Sequence, residues 1–340
     1  MNFATRFLAD HWQELGLAQL ISPERASWVV LTPRFPASKH VLFFLLPEGA
    51  HDPVLVMKVA RLPGQDASVS REARNLAAIH AARDGGFRSI PRLIAFTSST
   101  ENSILCESAL VGRQMSPEFV RRNAAWCVES VLQWLLDIHS ATAISNSNDE
   151  DWFERLVEAP LARLQSALAL SAEEERLIET VRGMAEKLKH LHFPLVFFHG
   201  DLSDPNIIVL REGGVGVVDW ELAEPNSLPL SGLLFFLNFV ESACTVPVAH
   251  PLVPFRKVFF SDRTWASDIV SRYIAELGIP IAAVQPLFVL CFTRYLSALV
   301  ARIMISGDKL DDETAAWLRT DREYILWRES VLQVSNLKLV

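Results

Sequence analysis

The chain has 340 residues, of which 50% are apolar, 21% charged and 9% aromatic. That composition excludes a disordered, collagen-like or low-complexity protein and suits two lobes around a large buried core. With 32 basic against 40 acidic residues the net charge is −8, the wrong sign for a protein that works on nucleic acid or an anionic membrane.

Met1 to Leu20 mixes Arg6, Asp10, His11 and Glu14 with apolar residues and carries no signal-peptide core. Short apolar runs at Trp28 to Leu31, Val41 to Leu46 and Val54 to Val59, separated by Pro- and Gly-containing turns, predict an antiparallel meander. A helix is expected over Ser68 to Ala82, with Leu76 and Ile79 on one side and Arg71, Glu72 and Arg74 on another, ended by Gly85-Gly86. Leu93 to Thr97 and Ser103 to Glu107 would complete the sheet, and Ala109 to Arg113 would connect it to the rest of the chain.

From about residue 115 the pattern turns helical, with long segments expected at Pro117 to Ile138 and Leu161 to Leu191. A β-rich insert comes next, at Leu195 to Phe198, Ile207 to Leu210 and Val215 to Val218. Helices are then expected at Thr264 to Leu277, Val284 to Ile305 and Asp311 to Gln333. The apolar windows Leu228 to Val240 and Ile279 to Ile305 are interrupted by Asn238, by Pro280 and Pro286, and by Arg294 and Arg302. They read as buried helices rather than membrane spans. Cys106, Cys127, Cys244 and Cys291 lack CxxC spacing, so reduced thiols in a cytoplasmic protein are expected, without a disulfide framework or zinc site.

Chemistry concentrates in His199-Gly200-Asp201-Leu202-Ser203-Asp204-Pro205-Asn206, which lies between two apolar runs, and in Asp219-Trp220-Glu221 beyond them. A hairpin turn at Gly213-Gly214 would bring Asp219 back alongside Asn206. Two carboxylates and a carboxamide would then share one pocket, an oxygen set that suits Mg²⁺.

This arrangement resembles the aminoglycoside phosphotransferase and choline kinase group, the small-molecule branch of the protein-kinase-like fold. The resemblance rests on His-Gly-Asp, an Asn five residues after that Asp, and a following Asp-x-Glu. It implies an α+β, bilobal fold: a small antiparallel-sheet lobe over 1–110, including a helical extension over 1–25, and a mainly helical lobe over 111–340 with the catalytic loop and acceptor site. It also implies an ATP-dependent kinase with Mg, acting on a hydroxyl of a small molecule. Asp201 would orient the acceptor hydroxyl, Asn206 and Asp219 would hold the metal, and His199 would set the loop.

Upstream, the same resemblance implies that Lys58, in Val56-Met57-Lys58-Val59-Ala60, reaches the phosphates and that Glu72 positions it. As a bare sequence feature, the lesser alternative for Lys58 is an edge-strand lysine snorkelling to solvent. Ile104 to Ala109 resembles the strand-to-hinge segment that recognises adenine, which puts Glu107 and Ala109 at the nucleotide. No GxGxxG lies between the first two strands; Ser38 and Lys39 either cradle phosphate there or are plain turn polarity. Ser231 stands where the family usually has an aspartate that braces the catalytic loop, so a nucleotide-binding pseudokinase is the alternative. A protein kinase is disfavoured, because no Ala-Pro-Glu follows Asp219. Trp265, Tyr295 and Trp317, at helical spacing, are expected to pack in the core. The sequence leaves the acceptor and the oligomeric state open.

Overall fold

The computed structural model describes residues 3–339 apart from 15, 20–24, 33–39, 62–65, 99–102, 247–249, 263 and 305–308. The described chain forms two compact units. Residues 1–115 with 199–224 make one, and 116–198 with 225–340 the other. The catalytic-loop segment expected within the helical lobe is therefore grouped with the sheet.

In the first unit, α1 (Phe3–His11) precedes β1 (Ala26–Leu31), β2 (His40–Pro47), β3 (Leu55–Ala60), α2 (Asp66–Ala81), β4 (Leu93–Ser98) and β5 (Ser103–Ser108). The strands pair antiparallel in the order β1-β2-β3-β5-β4, which makes β3 the central strand. Alternation along the strands decides which side chains go where. Leu55, Met57 and Val59 of β3, and Ile104 and Cys106 of β5, pack with Leu8, Trp12 and Leu17 of the N-terminal segment in one core cluster. Lys58, Leu105 and Glu107 alternate with those core residues and so belong to the opposite face. On α2, Glu72 is buried in line with Leu76 and Ile79, rather than on the polar side with Arg71 and Arg74. Its partner is Lys58, which makes the burial tolerable. Part of the predicted connector pairs instead as β6 (Gly112–Gln114).

The chain then enters the second unit with α3 (Pro117–Thr142) and β7 (Ile144–Ser145), followed by α4 (Ala159–Ala167), α5 (Ala172–Glu186) and β8 (Pro194–Phe198). The single helix expected over Leu161 to Leu191 is thus divided. Ser171 caps α5 through a capping box with Glu174, which starts a new helix after Leu168 turns extended. Back in the first unit, β9 (Ile207–Leu210) and β10 (Val215–Val217) form a hairpin with Gly213 and Gly214 at φ 102° and 73°, and β6 pairs on its other side. Such angles suit glycine at a tight turn.

After β11 (Glu224–Ser227) come α6 (Ser231–Cys244), α7 (Leu252–Phe259), α8 (Ala266–Glu276), α9 (Ile281–Ile303), α10 (Asp312–Thr320) and α11 (Arg322–Leu332). The last two replace one predicted helix, because Asp321 caps the second through Glu323 N–H. α9 is long and apolar enough to cross a membrane, yet 72% of its most apolar window is buried in the protein, as befits the core helix of a thick bundle. Trp265 and Trp317 are 38% and 49% exposed, against the expectation of core packing, whereas Tyr295 stacks on Phe235. All four cysteines are free, with Cys106, Cys127 and Cys291 buried and Cys244 exposed.

Candidate active site

Lys58 sits on the central strand, 4% exposed, paired in register with Leu42 and Leu105. An edge-strand lysine reaching solvent is thereby ruled out. Its ammonium lies 2.5 Å from Glu72 Oε1, 3.1 Å from Asp219 Oδ1 and 3.9 Å from Glu107 Oε1. Burial alone would lower the Lys58 pKa, but Asp219, Glu72 and Glu107 together hold it well above the ordinary range. Three carboxylates around one buried cation cannot all be accommodated as anions. Burial pushes Glu72 up to about 8 against the pull of Lys58, and it raises Glu107 in the same direction. Asp219, a third exposed, is held low: burial opposes this, and Lys58 outweighs it. Glu72 Oε2, Glu107 Oε2 and the Nδ1 of nearby His40 are buried with no hydrogen-bond partner among the described residues.

Glu72 does a second job. Its Oε1 also accepts the Trp220 N–H at 2.9 Å, while Asn75, three residues on, donates to the carbonyls of Trp220 and Ala223 at 2.8 and 2.9 Å. Trp220 is fully buried and donates its indole N–H to the Val217 carbonyl. These bonds fix the segment that carries Asp219, whose backbone is left-handed at φ 69°. A conformation of this kind in a non-glycine residue costs roughly 1–3 kcal/mol and persists only where the surroundings enforce it. Sequence reasoning misses Asn75 and the role of Trp220. Polar Glu72 and Asn75 at i, i+3 on a helix face that also buries Ala73, Leu76 and Ile79 are the signal that marks them.

The catalytic-loop candidate is built by short-range bonds. His199 Nε2 donates to the Val218 carbonyl at 3.0 Å, and its Nδ1 accepts the Asp201 N–H at 3.3 Å. Burial lowers its pKa, keeping the ring neutral. Both nitrogens are spent on backbone, which suits a loop-setting histidine. Gly200, at φ 93°, lies so close to the Leu222 carbonyl that no Cβ would fit. Asn206 Nδ2 donates to the Asp201 carbonyl at 3.0 Å and to Asp201 Oδ2 at 3.1 Å. The Val218 N–H reaches the Asn206 carbonyl at 3.0 Å. The hairpin thus returns Asp219 alongside Asn206, as the glycine turn predicts.

Asp201, Asn206, Asp219, Lys58, Glu72 and Glu107 therefore come together within the first unit. Ala109 follows β5 and donates its N–H to the Val54 carbonyl at 3.3 Å. Ser38 and Lys39 lie outside the described residues. Among the described residues no group of three or more His, Cys, Asp or Glu side chains is placed to hold a metal. With its amide nitrogen spent on Asp201, Asn206 has its side-chain oxygen left to offer, and Asp219 adds a carboxylate. Two hard oxygens fit magnesium, which takes few protein ligands and completes its shell with water and phosphate.

Comparison with known proteins agrees with this geometry. The protein has the fold of a choline kinase, LicA from Streptococcus pneumoniae, at TM-score 0.57 and 12% identity over 96% of this chain and 99% of that one. It is similar to aminoglycoside phosphotransferase APH(4)-Ia at TM-score 0.53 and 11% identity, over 94% and 98%. It also resembles aminoglycoside 2'-phosphotransferase-IIIa, solved as its GDP complex, at TM-score 0.53 and 13% identity, over 95% and 98%. No curated protein sequence matches the chain. The model of the phosphotransferase enzyme family matches residues 38–227, more than half of the chain and every described residue of the constellation. The chain belongs to the phosphotransferase enzyme family and has the protein-kinase-like fold.

Proposed function

We propose that the protein transfers the γ-phosphoryl group of ATP to a hydroxyl of a small molecule, with magnesium bound at Asn206 and Asp219. The observation that carries this reading is the buried Lys58–Glu72 pair with Asp219 at 3.1 Å from the same ammonium. A buried lysine held charged can bond a phosphate oxygen, and the surplus carboxylates around it call for a cation such as magnesium alongside. The structures named as choline kinase and aminoglycoside phosphotransferases support the choice of a small hydroxylated acceptor. Those named as complexes with AMP and GDP support a nucleotide donor.

In this reading Lys58 donates to phosphate oxygens and Glu72 keeps it aimed. Asp201 accepts the hydrogen of the attacking hydroxyl and orients it, and Asn206 holds Asp201 in place. Bound magnesium supplies neutralisation of the negative charge on the phosphates. Catalysis rests mainly on positioning and charge stabilisation. The reading includes a cytoplasmic location and no nucleic-acid or membrane partner, supported by the net charge of −8 and the burial of α9.

The test is nucleotide turnover across a panel of hydroxylated amines, sugars and nucleosides, beside Asp201→Ala. Transfer that depends on Asp201 is expected; a protein that binds no nucleotide would sink the reading. A second reading, a nucleotide-binding pseudokinase, has Ser231 as its observation. This residue, where the family usually keeps an aspartate, begins α6 with its hydroxyl buried and unpartnered among the described residues. Nucleotide binding without turnover on any acceptor would favour it.

A further inference from the structure

The two carboxylate oxygens of Asp201 are held in different ways. Oδ2 takes the Asn206 amide at 3.1 Å, and that amide is anchored by its own backbone, with Asn206 N–H on the Ser203 carbonyl at 2.8 Å. Oδ1 takes a hydroxyl, that of Ser203, at 3.0 Å. The same hydroxyl has a second acceptor within reach, the Asp204 carbonyl at 3.3 Å. A serine carries one hydrogen, so it can serve only one of these acceptors at a time, and rotation about its C–O bond moves the hydrogen between them. Asp201 and Ser203 are both partly exposed, so water can compete for whatever Oδ1 leaves open.

An alcohol group is thus already bonded to the Asp201 oxygen that Asn206 does not hold, the position an acceptor alcohol would take. We propose that Ser203 is a place-holding residue for the acceptor hydroxyl. With no acceptor bound it fills one of the two acceptor positions of Asp201 Oδ1 and keeps water out of that position. When the acceptor arrives, Ser203 turns its hydrogen to the Asp204 carbonyl and keeps its hydrogen bond. This rests on the reading of Asp201 as the group that orients the acceptor hydroxyl, and it adds a means of discriminating against water. In the side reaction that Ser203 suppresses, a water oxygen bonds to the γ-phosphorus and the bond from that phosphorus to the bridging oxygen breaks. ADP leaves, and the water proton passes to Asp201 Oδ1.

ADP release from ATP and magnesium, with no acceptor added, reports that side reaction directly. Ser203→Ala should raise it by roughly five-fold or more, the ratio set by loss of one ordinary hydrogen bond. The rise should vanish in Ser203→Ala combined with Asp201→Asn. The shape-matched pair Ser203→Thr and Ser203→Val, which differ in the hydroxyl, keeps the test valid if the alanine variant folds poorly: threonine should keep release low and valine should raise it. A flat response to Ser203→Ala and Ser203→Val overturns the proposal, as does a rise that survives Asp201→Asn. If Asp201→Asn alone leaves wild-type release in a protein that binds nucleotide, the reading of Asp201 falls instead; if no nucleotide binds, both fall.

Discussion

Two buried polar clusters, one in each unit, make opposite use of burial. In the first, Lys58 faces Glu72, Glu107 and Asp219, and oxygens of both glutamates find no donor among the described residues. In the second, Leu230 N–H donates to the Tyr273 hydroxyl at 3.3 Å, and that hydroxyl bonds His139 Nδ1 at 2.6 Å. The Phe197 backbone takes the other side of the ring. The second cluster is neutral and closed, and it steadies Leu230, a bulky residue held at φ 68° where α6 begins. A closed network belongs to the scaffold. An open one with surplus charge is costly unless something arrives to complete it, and this separates the candidate site from a structural polar core without any appeal to fold.

The sharpest way to break the contrast is Lys58→Met. It should lower phosphoryl transfer by about 10³-fold or more and, by stranding three carboxylates without a cation, lower stability by roughly 3–5 kcal/mol. Single-turnover kinetics and urea unfolding would read the two effects. A variant with transfer intact would favour chemistry that has no use for the lysine, such as metal-assisted hydrolysis.

The two clusters should also respond oppositely to pH. Burial drives His139 down to about 3. Above 6.5 neither the folded nor the unfolded ring holds the extra proton, and its contribution to stability is fully present. As pH falls below that value only the unfolded chain takes the proton, so stability is lost down to about 3, by up to about 1.4 kcal/mol per pH unit. Glu72, raised to about 8, behaves in reverse. Its contribution is full below 4.5 and is lost as pH rises through 8, because only the folded carboxyl keeps its proton in that window. Unfolding at stepped pH should show the loss as pH falls from 6.5 to about 3 flattened in His139→Gln, and the loss as pH rises from 4.5 to about 8 flattened in Glu72→Gln. Equal slopes in wild type and variants would refute the assignments.

The smallest expected effect is at Gly200. Gly200→Ala should cost about 1–3 kcal/mol, because both φ and the Leu222 carbonyl oppose a Cβ. The loss should appear as weakened order of residues 199–206 in hydrogen exchange, while the His139 network stays protected.

How far the sequence discloses this contrast depends on which interactions are local. The loop bonds among His199, Asp201 and Asn206 are local, and the family resemblance implies the loop-setting role of His199, while the glycine turn sets the hairpin from the residues themselves. Lys58 and Glu72 become legible as a pair through the family resemblance, since an isolated glutamate on a helix reads as a surface residue. Glu107 reads in sequence as a nucleotide contact, but its approach to Lys58 comes from register: both residues lie on the face of the sheet away from the α1 cluster. His139 reads as a packing and capping residue; its partner Tyr273, 134 residues later, is a long-range contact that no local pattern announces. The breaks before α5 and α11 are encoded in Ser171 and Asp321, caps that helical periodicity hides.

The discontinuity of the first unit has a consequence for how the protein is made. Lys58 and Glu72 leave the ribosome early, but Asp219 and Trp220, which complete their cluster, emerge only after residues 116–198 have been synthesised. Through that interval Glu72 lacks the Trp220 N–H, Lys58 lacks Asp219, and the strand pairs of β6 with β9 and β9 with β10 do not exist. Domains usually mature in the order they are translated. Here the sheet unit at the N-terminus must wait for more than 80 intervening residues, so the cluster around Lys58 is completed by Asp219 only once residues 199–224 are in place.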